Sequence, residues 1–383
     1  MLGKPAKAAH RMFMTDADSY NTTMPLDSRQ TPSDAPAYVN QLLARAVDAG
    51  ASDLHLEPLG EGLAVRFRID GLLQPVETLP ADVGRSAVLR LMVLAQLLTY
   101  RLDIPQEGRI RTTVAGRELD LRLAIMPVAH GLRAVLRLPA ELTQPRSLET
   151  LGLPEQAMQL LRGFALGDAG MLLLTGPAGS GKTTTIYALL EHIATTFPGL
   201  SIISLEDPIE RLIPGITQIE VTPHGQLTYE RALKSILRQD PQLLMLGEIR
   251  DAATASLAIQ AALTGHRLIA TLHAGDPATA IARLLEMGIE PYQVTSSLFG
   301  VLTQRLVRRL AAGGAGYKGR VPIAECAEMD DALRAAVLER ADANRLRALL
   351  SAQPGHADLR LSARELIDRG ITDQPEMTRV LGT

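Results

Sequence analysis

MLLLTGPAGSGKTTTIYALLEHI, residues 171–193, is the stretch from which the rest of the chain is read. An apolar run, Met171 to Thr175, leads into GPAGSGKT at 176–183, and an apolar, helix-forming segment follows. The G-x4-G-K-[ST] pattern between a strand and a helix is the signature of a phosphate-binding loop. Gly176, Gly179 and Gly181 free the backbone to curl, so that successive N–H groups and the helix N-terminus face an anion. Lys182 is placed to reach the β- and γ-phosphates of ATP, and the Thr183 hydroxyl to bind Mg²⁺, with Ser180 and Thr184 completing the phosphate-binding set. An ordinary glycine turn would need neither the strand before it nor the helix after it.

Outward from this loop, over about 155–310, other short apolar runs alternate with helical segments: LSIISLED, LLMLGE and RLIATLH. They are continuous rather than alternating, as expected of parallel strands covered on both faces, so an α/β domain is expected. Two of the runs end in acids. LLMLGEIRD puts Glu248 at a strand's C-terminal edge, where α/β proteins bind ligands and where a carboxylate can hold Mg²⁺ through water. ISLEDPIE offers Glu206, Asp207 and Glu210, any of which can orient and deprotonate an attacking water. A single acid after a strand is commonly a solvated loop end, but two such clusters downstream of a phosphate loop favour a nucleotide site. His266 and His273 flank the run RLIATL, seven residues apart, which puts them at opposite ends of a strand and argues against a shared metal. His273 is the one placed to sense a phosphate or a catalytic carboxylate.

Upstream, Val39, Leu42, Leu43, Ala46 and Val47 have the spacing of one buried helix face, with Gly50 placed to end that helix. Leu63, Val65, Phe67 and Ile69 alternate with polar residues and lead to Asp70-Gly71, a hairpin signal. A second helix is expected over about 84–98, then strands over ELDLRLAIM and GLRAVLRL. The divisions expected are a mobile tail at 1–36, an α+β domain at 37–138, a linker at 139–154, the α/β domain with the phosphate loop at 155–310 and a helical module at 311–383, with AAGGAGYKG at 311–319 as a flexible break.

Composition narrows the function. The 383 residues carry 39 Lys and Arg against 42 Asp and Glu, a net charge of −3, and only 5 Phe, 7 Tyr and no Trp. Neither a polybasic surface nor base-stacking platforms are available, so no nucleic acid is expected as partner. One cysteine, Cys326, permits no intrachain disulfide and no cysteine zinc cluster, so no zinc is expected. No apolar run reaches ~18 residues, and MLGKPAKAAHRMF has positive charge without an apolar core, so a cytoplasmic protein without a cleaved secretory signal is expected.

GPAGSGKTTT, ISLEDPIE, LMLGEIRD and TGHRLIATLHAGDPATAIARLLEMG, in this order, resemble the Walker A, Asp, Walker B and His boxes of the secretion ATPase superfamily. Among its branches the chain is most similar to the type II secretion and type IV pilus assembly ATPases. LLARAVDAGASDLHLEP, VRFRIDGLLQPV and the run from RLDIPQEGRI to GLRAVLRL resemble the family's N-terminal domain, and GYKGRVPIAE also fits, so the likeness covers about 37–383. The resemblance implies a RecA-like P-loop ATPase core, a smaller PAS-like α+β domain, ATP and Mg²⁺ as ligands, and a homohexamer. It implies Glu210 as general base, Glu248 as the Walker B glutamate, and Arg122 and Arg137 as arginine fingers, with Arg109 and Arg133 nearby as alternatives. By themselves those arginines read as solvated strand residues. Partners implied are an inner-membrane platform protein and a cytoplasmic adaptor, with the ring peripheral on the inner membrane through protein contacts, since no lipid anchor is expected. Three departures stand out: the tetracysteine zinc module is missing, no AIRNLIRE retraction signature is present, and the extra N-terminal domain of many relatives is not expected. The expected function is pilus or pseudopilus assembly, with pilus retraction, or a nucleic-acid translocating RecA-like ATPase, as alternatives.

Overall fold

The computed structural model describes residues 34–114, 116–139, 147–221, 227–313 and 316–382. The tail expected at 1–36 lies outside the described residues up to position 33, and Ala35 already opens a helix. Six strands form the first sheet: β1 (Asp53–Leu59), β2 (Gly62–Ile69), β3 (Leu72–Leu79), β4 (Gln106–Val114), β5 (Arg117–Val128) and β6 (Gly131–Arg137). Their order is β3-β2-β1-β6-β5-β4, antiparallel throughout. Alternation sends Leu54, Leu56, Val65, Phe67, Leu121, Leu123 and Leu136 to one face, where α1 (Ala35–Asp48) and α2 (Ala81–Leu94) cover them. Each such fully buried side chain contributes roughly 1.5–3 kcal/mol. Asp70 and Gly71 both have positive φ, 49° and 85°, the conformation of a two-residue hairpin whose twist matches its strands.

The opposite face is polar. Arg68, Asp53, Arg137, Arg122 and Arg109 are successive cross-strand partners over β2, β1, β6, β5 and β4, so they stand in one row on it. Helix α2 ends at Leu94, short of the expected 98. Gln96 takes the left-handed conformation, φ 57°, and the Leu97 N–H bonds back to the Met92 carbonyl at 2.8 Å, which closes the helix in a position usually held by glycine.

The second sheet contains β7 (Gly170–Thr175), β8 (Ile202–Glu206), β9 (Thr217–Glu220), β10 (Leu243–Leu246), β11 (Arg267–Leu272), β12 (Leu298–Leu310) and β13 (Tyr317–Glu328), in the order β13-β12-β7-β11-β10-β8-β9. All pairings are parallel except β12 with β13. Helices lie on both faces. Met171 and Leu173 of β7 enter one core with α5 (Tyr229–Ile236), α6 (Ala252–Leu263) and α7 (Pro277–Glu286). Leu172 and Leu174 enter the other with α3 (Glu155–Leu166) and α4 (Lys182–Thr196). A strand buried on both faces needs the continuous apolar run that the sequence shows.

Two of the expected divisions change. Positions 140–146 of the linker lie outside the described residues, but its second half is folded: a 3-10 turn at Leu148–Thr150 is closed by a Ser147–Thr150 capping box, and Leu148 and Leu151 are buried beside α4. The module expected at 311–383 is neither separate nor wholly helical. Its first element, β13, pairs along β12 and forms an edge of the motor sheet, so the expected break at 311–319 gives way to strand from Tyr317 onward; 314 and 315 lie outside the described residues. The remaining helices are α9 (Asp331–Leu338), α10 (Ala343–Ser351), α11 (Leu359–Asp368) and α12 (Gln374–Leu381), after the short α8 (Pro291–Ser297). Leu333, Val337, Leu346 and Leu350 of α9 and α10 complete the core under α7, while Leu359, Ala363, Leu366 and Met377 cover Val307, Val321 and Ile323 of β12 and β13. These amphipathic helices have no core of their own.

Candidate nucleotide site

The phosphate loop joins β7 to α4. Gly176, Gly179 and Gly181 have φ of 134°, 73° and 92°. A Cβ on Gly176 would collide with the Gln304 carbonyl oxygen, and one on Gly181 would lie 2.8 Å from Gln304 Nε2, whereas Gly179 has open space around it. Gln304 therefore forms the floor of the loop. Register explains its position: β12 runs parallel to β7 with Thr303 opposite Thr175, so the next residue of β12 lies under the start of the loop. Its side chain is buried and accepts a hydrogen bond from the Thr185 hydroxyl at 2.9 Å.

Lys182 Nζ donates to the carbonyls of Gly176 and Pro177, at 2.8 and 3.0 Å. Burial holds its ammonium below the usual lysine range, against the pull of the Glu248 carboxylate. Thr183 is exposed at the start of α4 and Thr184 half-buried, while Ser180 Oγ is buried with no hydrogen-bond partner among the described residues. The cradle thus presents a lysine, hydroxyls and a helix N-terminus, a donor set suited to phosphate.

The two later boxes converge on it. Glu248 follows β10 and is clasped on both oxygens: Arg250 Nε stands 2.6 Å from Oε2 and His273 Nε2 2.9 Å from Oε1. The other ring nitrogen of His273, Nδ1, lies 3.3 Å from the Gly176 carbonyl oxygen. The two nitrogens of one ring thus stand between the phosphate loop and Glu248. Arg250 also reaches Asp207 at 3.3 Å, linking this carboxylate to the one after β8. Gly247 admits the close approach of Tyr229, whose hydroxyl would lie 2.8 Å from a Cβ there. His266 is at the far end of β11 from His273, against Thr264 and the Ala261 carbonyl.

The three acids after β8 separate by environment. Glu206 is buried and takes hydrogen bonds from Tyr187, Ser204 and Gln218. Asp207 is paired with Arg250. Glu210 is exposed, its carboxylate has no partner among the described residues, and with Ile209 it lines one wall of a 580 Å³ cleft. Across the cleft stand Arg109, Arg122 and Arg137 of the first sheet, together with Arg117. Arg137 is held by Asp53 at 3.2 Å and Arg109 by Glu220 at 3.3 Å, whereas Arg122 makes no ion pair among the described residues. Arg133 is not in this group; it lies beside Glu57 and His55, at 3.3 and 3.4 Å.

Gln304, Arg250, Tyr187 and Gln218 were not among the expected site residues. A polar pair, Thr303-Gln304, inside the apolar run of β12 was the available signal for the first. Arg250, two residues past Glu248, was visible but unassigned.

No described helix is long and apolar enough to cross a membrane. HxcR of Pseudomonas aeruginosa, a type II secretion system protein, is 39% identical over 374 residues, covering 92% of this chain and 79% of its own length. The type IV pilus assembly ATPase PilB of Thermus thermophilus is 37% identical over 354 residues, covering 83% of this chain but 40% of its own length. The solved structure of the pilus retraction motor PilT with bound ADP matches 89% of this chain and 96% of its own, with a TM-score of 0.65 and 27% identity. A profile of the type II/IV secretion system protein family matches residues 31–379, nearly the whole of what is described above. With that match and these relatives, the chain belongs to the type II/IV secretion system protein family.

Proposed function

We propose that this chain is an ATP-hydrolysing motor that powers assembly of a type II secretion pseudopilus or a type IV pilus, working as a homohexamer on the cytoplasmic face of the inner membrane. Relatives named as secretion and pilus ATPases support the enzyme class. One observation carries the mechanism: Glu210 faces Arg109, Arg122 and Arg137 across a cleft, while Glu248, His273 and Lys182 gather at the phosphate loop. Lys182 exchanges the loop carbonyls for phosphate oxygens. Glu210, free of any cation, accepts the proton of the attacking water. Closure of the cleft brings Arg122 and Arg137 to the charge that develops on the γ-phosphate.

The residues present fit Mg²⁺. Among the described residues no group of three or more His, Cys, Asp or Glu could hold a metal by itself, and Mg²⁺ is usually bound by few protein oxygens together with water and substrate phosphates. The Thr183 hydroxyl and, through water, Glu248 would hold it, and it would neutralise phosphate charge. An inner-membrane platform protein and a cytoplasmic adaptor are the proposed partners. Retraction is the second reading, favoured only by the likeness to the retraction motor.

Glu210→Gln tests the base. The variant is expected to bind nucleotide as the parent does and to lose turnover; undiminished ATP hydrolysis would remove Glu210 from this role.

A further inference from the structure

Tyr187 lies on α4, one helical turn beyond Thr183, and its ring is buried. Its hydroxyl does two things. It accepts the backbone N–H of Glu210 at 3.0 Å, and it donates to the carboxylate of Glu206. Ser204 and Gln218 also bond Glu206, so this carboxylate is a fixed anchor with no free face toward a substrate. Over the Tyr187 ring lies the Arg211 guanidinium, 5.3 Å from the centroid, itself paired with Glu191 of the same helix at 2.7 Å. Gln218 clasps the other side of the segment, donating to the Arg211 carbonyl at 3.0 Å and accepting from the Ile213 N–H at 2.6 Å.

The segment 209–213 has no regular secondary structure, and the Glu210 side chain itself touches no partner among the described residues. The range its carboxylate can reach is therefore set by its backbone, held at the Glu210 amide by a hydroxyl on the phosphate-loop helix and at the preceding Ile209 amide by Glu220, at 3.2 Å.

We propose that Tyr187 is a positioning residue for Glu210: through the Glu210 amide it fixes the catalytic carboxylate relative to Lys182 and Thr183 on the same helix. The proposal rests on the reading of Glu210 as base. Proton abstraction from a bound water is sensitive to placement, and a misplacement of ~1 Å costs about a hundredfold in rate. The hydroxyl stays protonated, because burial and then the Glu206 charge push it up.

The experiment is a double-mutant cycle on the full chain, with Tyr187→Phe, Glu210→Gln and the pair. Phenylalanine keeps the ring under Arg211 and deletes only the hydroxyl. Expected for Tyr187→Phe is a kcat about 10- to 100-fold lower with KM for ATP and ADP affinity within about twofold, a split that a general loss of folding would not produce. In the Glu210→Gln background the same change is expected to have no further effect on the residual rate. Unchanged kcat in Tyr187→Phe, or an equal fold-loss in both backgrounds, overturns the positioning role while leaving Glu210 as base. Full turnover in Glu210→Gln overturns the base reading and the proposal with it. Should Phe at 187 fail to fold because Glu206 is left short of a donor, Tyr187→Phe/Glu206→Gln removes the buried charge as well. It is expected to show the same loss of kcat, and parental kcat in it refutes the proposal.

Discussion

Alanine at Gly176 and at Gly179 makes a matched pair, because both positions have positive φ but only one is crowded. At Gly179, φ 73° and open surroundings leave backbone strain alone, about 1–2 kcal/mol for a residue with a Cβ. At Gly176, φ is 134°, and the new Cβ would strike the Gln304 carbonyl oxygen and come within 2.8 Å of Ser180 Oγ. Strain of about 1–3 kcal/mol is joined there by ~1–3 kcal/mol of overpacking against a backbone atom that has β7 and β13 on either side. If the empty loop relaxes away, the cost appears in affinity; at 1.4 kcal/mol per decade, ADP binding weakens about tenfold in Gly179→Ala and a hundredfold or more in Gly176→Ala. If the loop is preformed, the same cost appears as lost stability. Calorimetric ADP titration together with thermal melting of the free protein reads both. The seating of the loop on Gln304 is refuted if Gly176→Ala is as mild as Gly179→Ala in both measurements.

Arg122→Ala is expected to lower ATP turnover by ~10³ with little change in nucleotide affinity, the magnitude usual for arginine fingers. Arg137→Ala, which removes a cation already held by Asp53, is expected to lower it less, so steady-state rates ranking the two the other way would contradict the reading of Arg122 as an uncommitted cation. At Glu376, burial pushes the carboxyl up, but hydrogen bonds from Arg379 and Arg308 outweigh it and hold the group at about 2, below its ordinary 4.5. A depressed carboxylate contributes stability that is present above pH 4.5 and is lost as pH falls toward 2. Glu376→Gln is accordingly expected to lose ~3–5 kcal/mol near neutrality and to show a flatter acid limb in a pH series of melts; an unchanged limb would mean that another group carries the acid sensitivity.

Legibility in the sequence followed the physics of each signal. The parallel strands read cleanly because burial on both faces demands unbroken apolar runs, and the phosphate loop because glycine has no substitute at φ 134° beside a carbonyl. Strand β4 was invisible: it is an edge strand with only Ile110 and Val114 buried, so alternation is nearly absent. The end of α2 was misplaced because Gln96, not glycine, takes the left-handed turn. The C-terminal helices read as a separate module because AAGGAGYKG looks like a break; each is capped, with Asp330, Asp342, Asp358 and Asp373 accepting from the third residue beyond, and a capped helix says nothing about which core its apolar face joins. Within the site, the chain showed which carboxylates end strands. It did not show that Glu206 is saturated, Asp207 paired and Glu210 free, since those differences come from Tyr187, Ser204, Gln218 and Arg250, distant in sequence or unremarkable in type.

Strand β12 is more than a member of the sheet. Gln304 on it underlies the phosphate loop, and four residues on, Arg308 is gripped by Glu376 of α12 through its backbone N–H at 2.8 Å and its guanidinium at 2.7 Å. At about 3.3 Å per residue of strand, roughly 13 Å of continuous covalent backbone join the two points. That link is extended backbone paired in the sheet, not a chain of side-chain contacts. The phosphate loop and α12 thus share one strand as their common support.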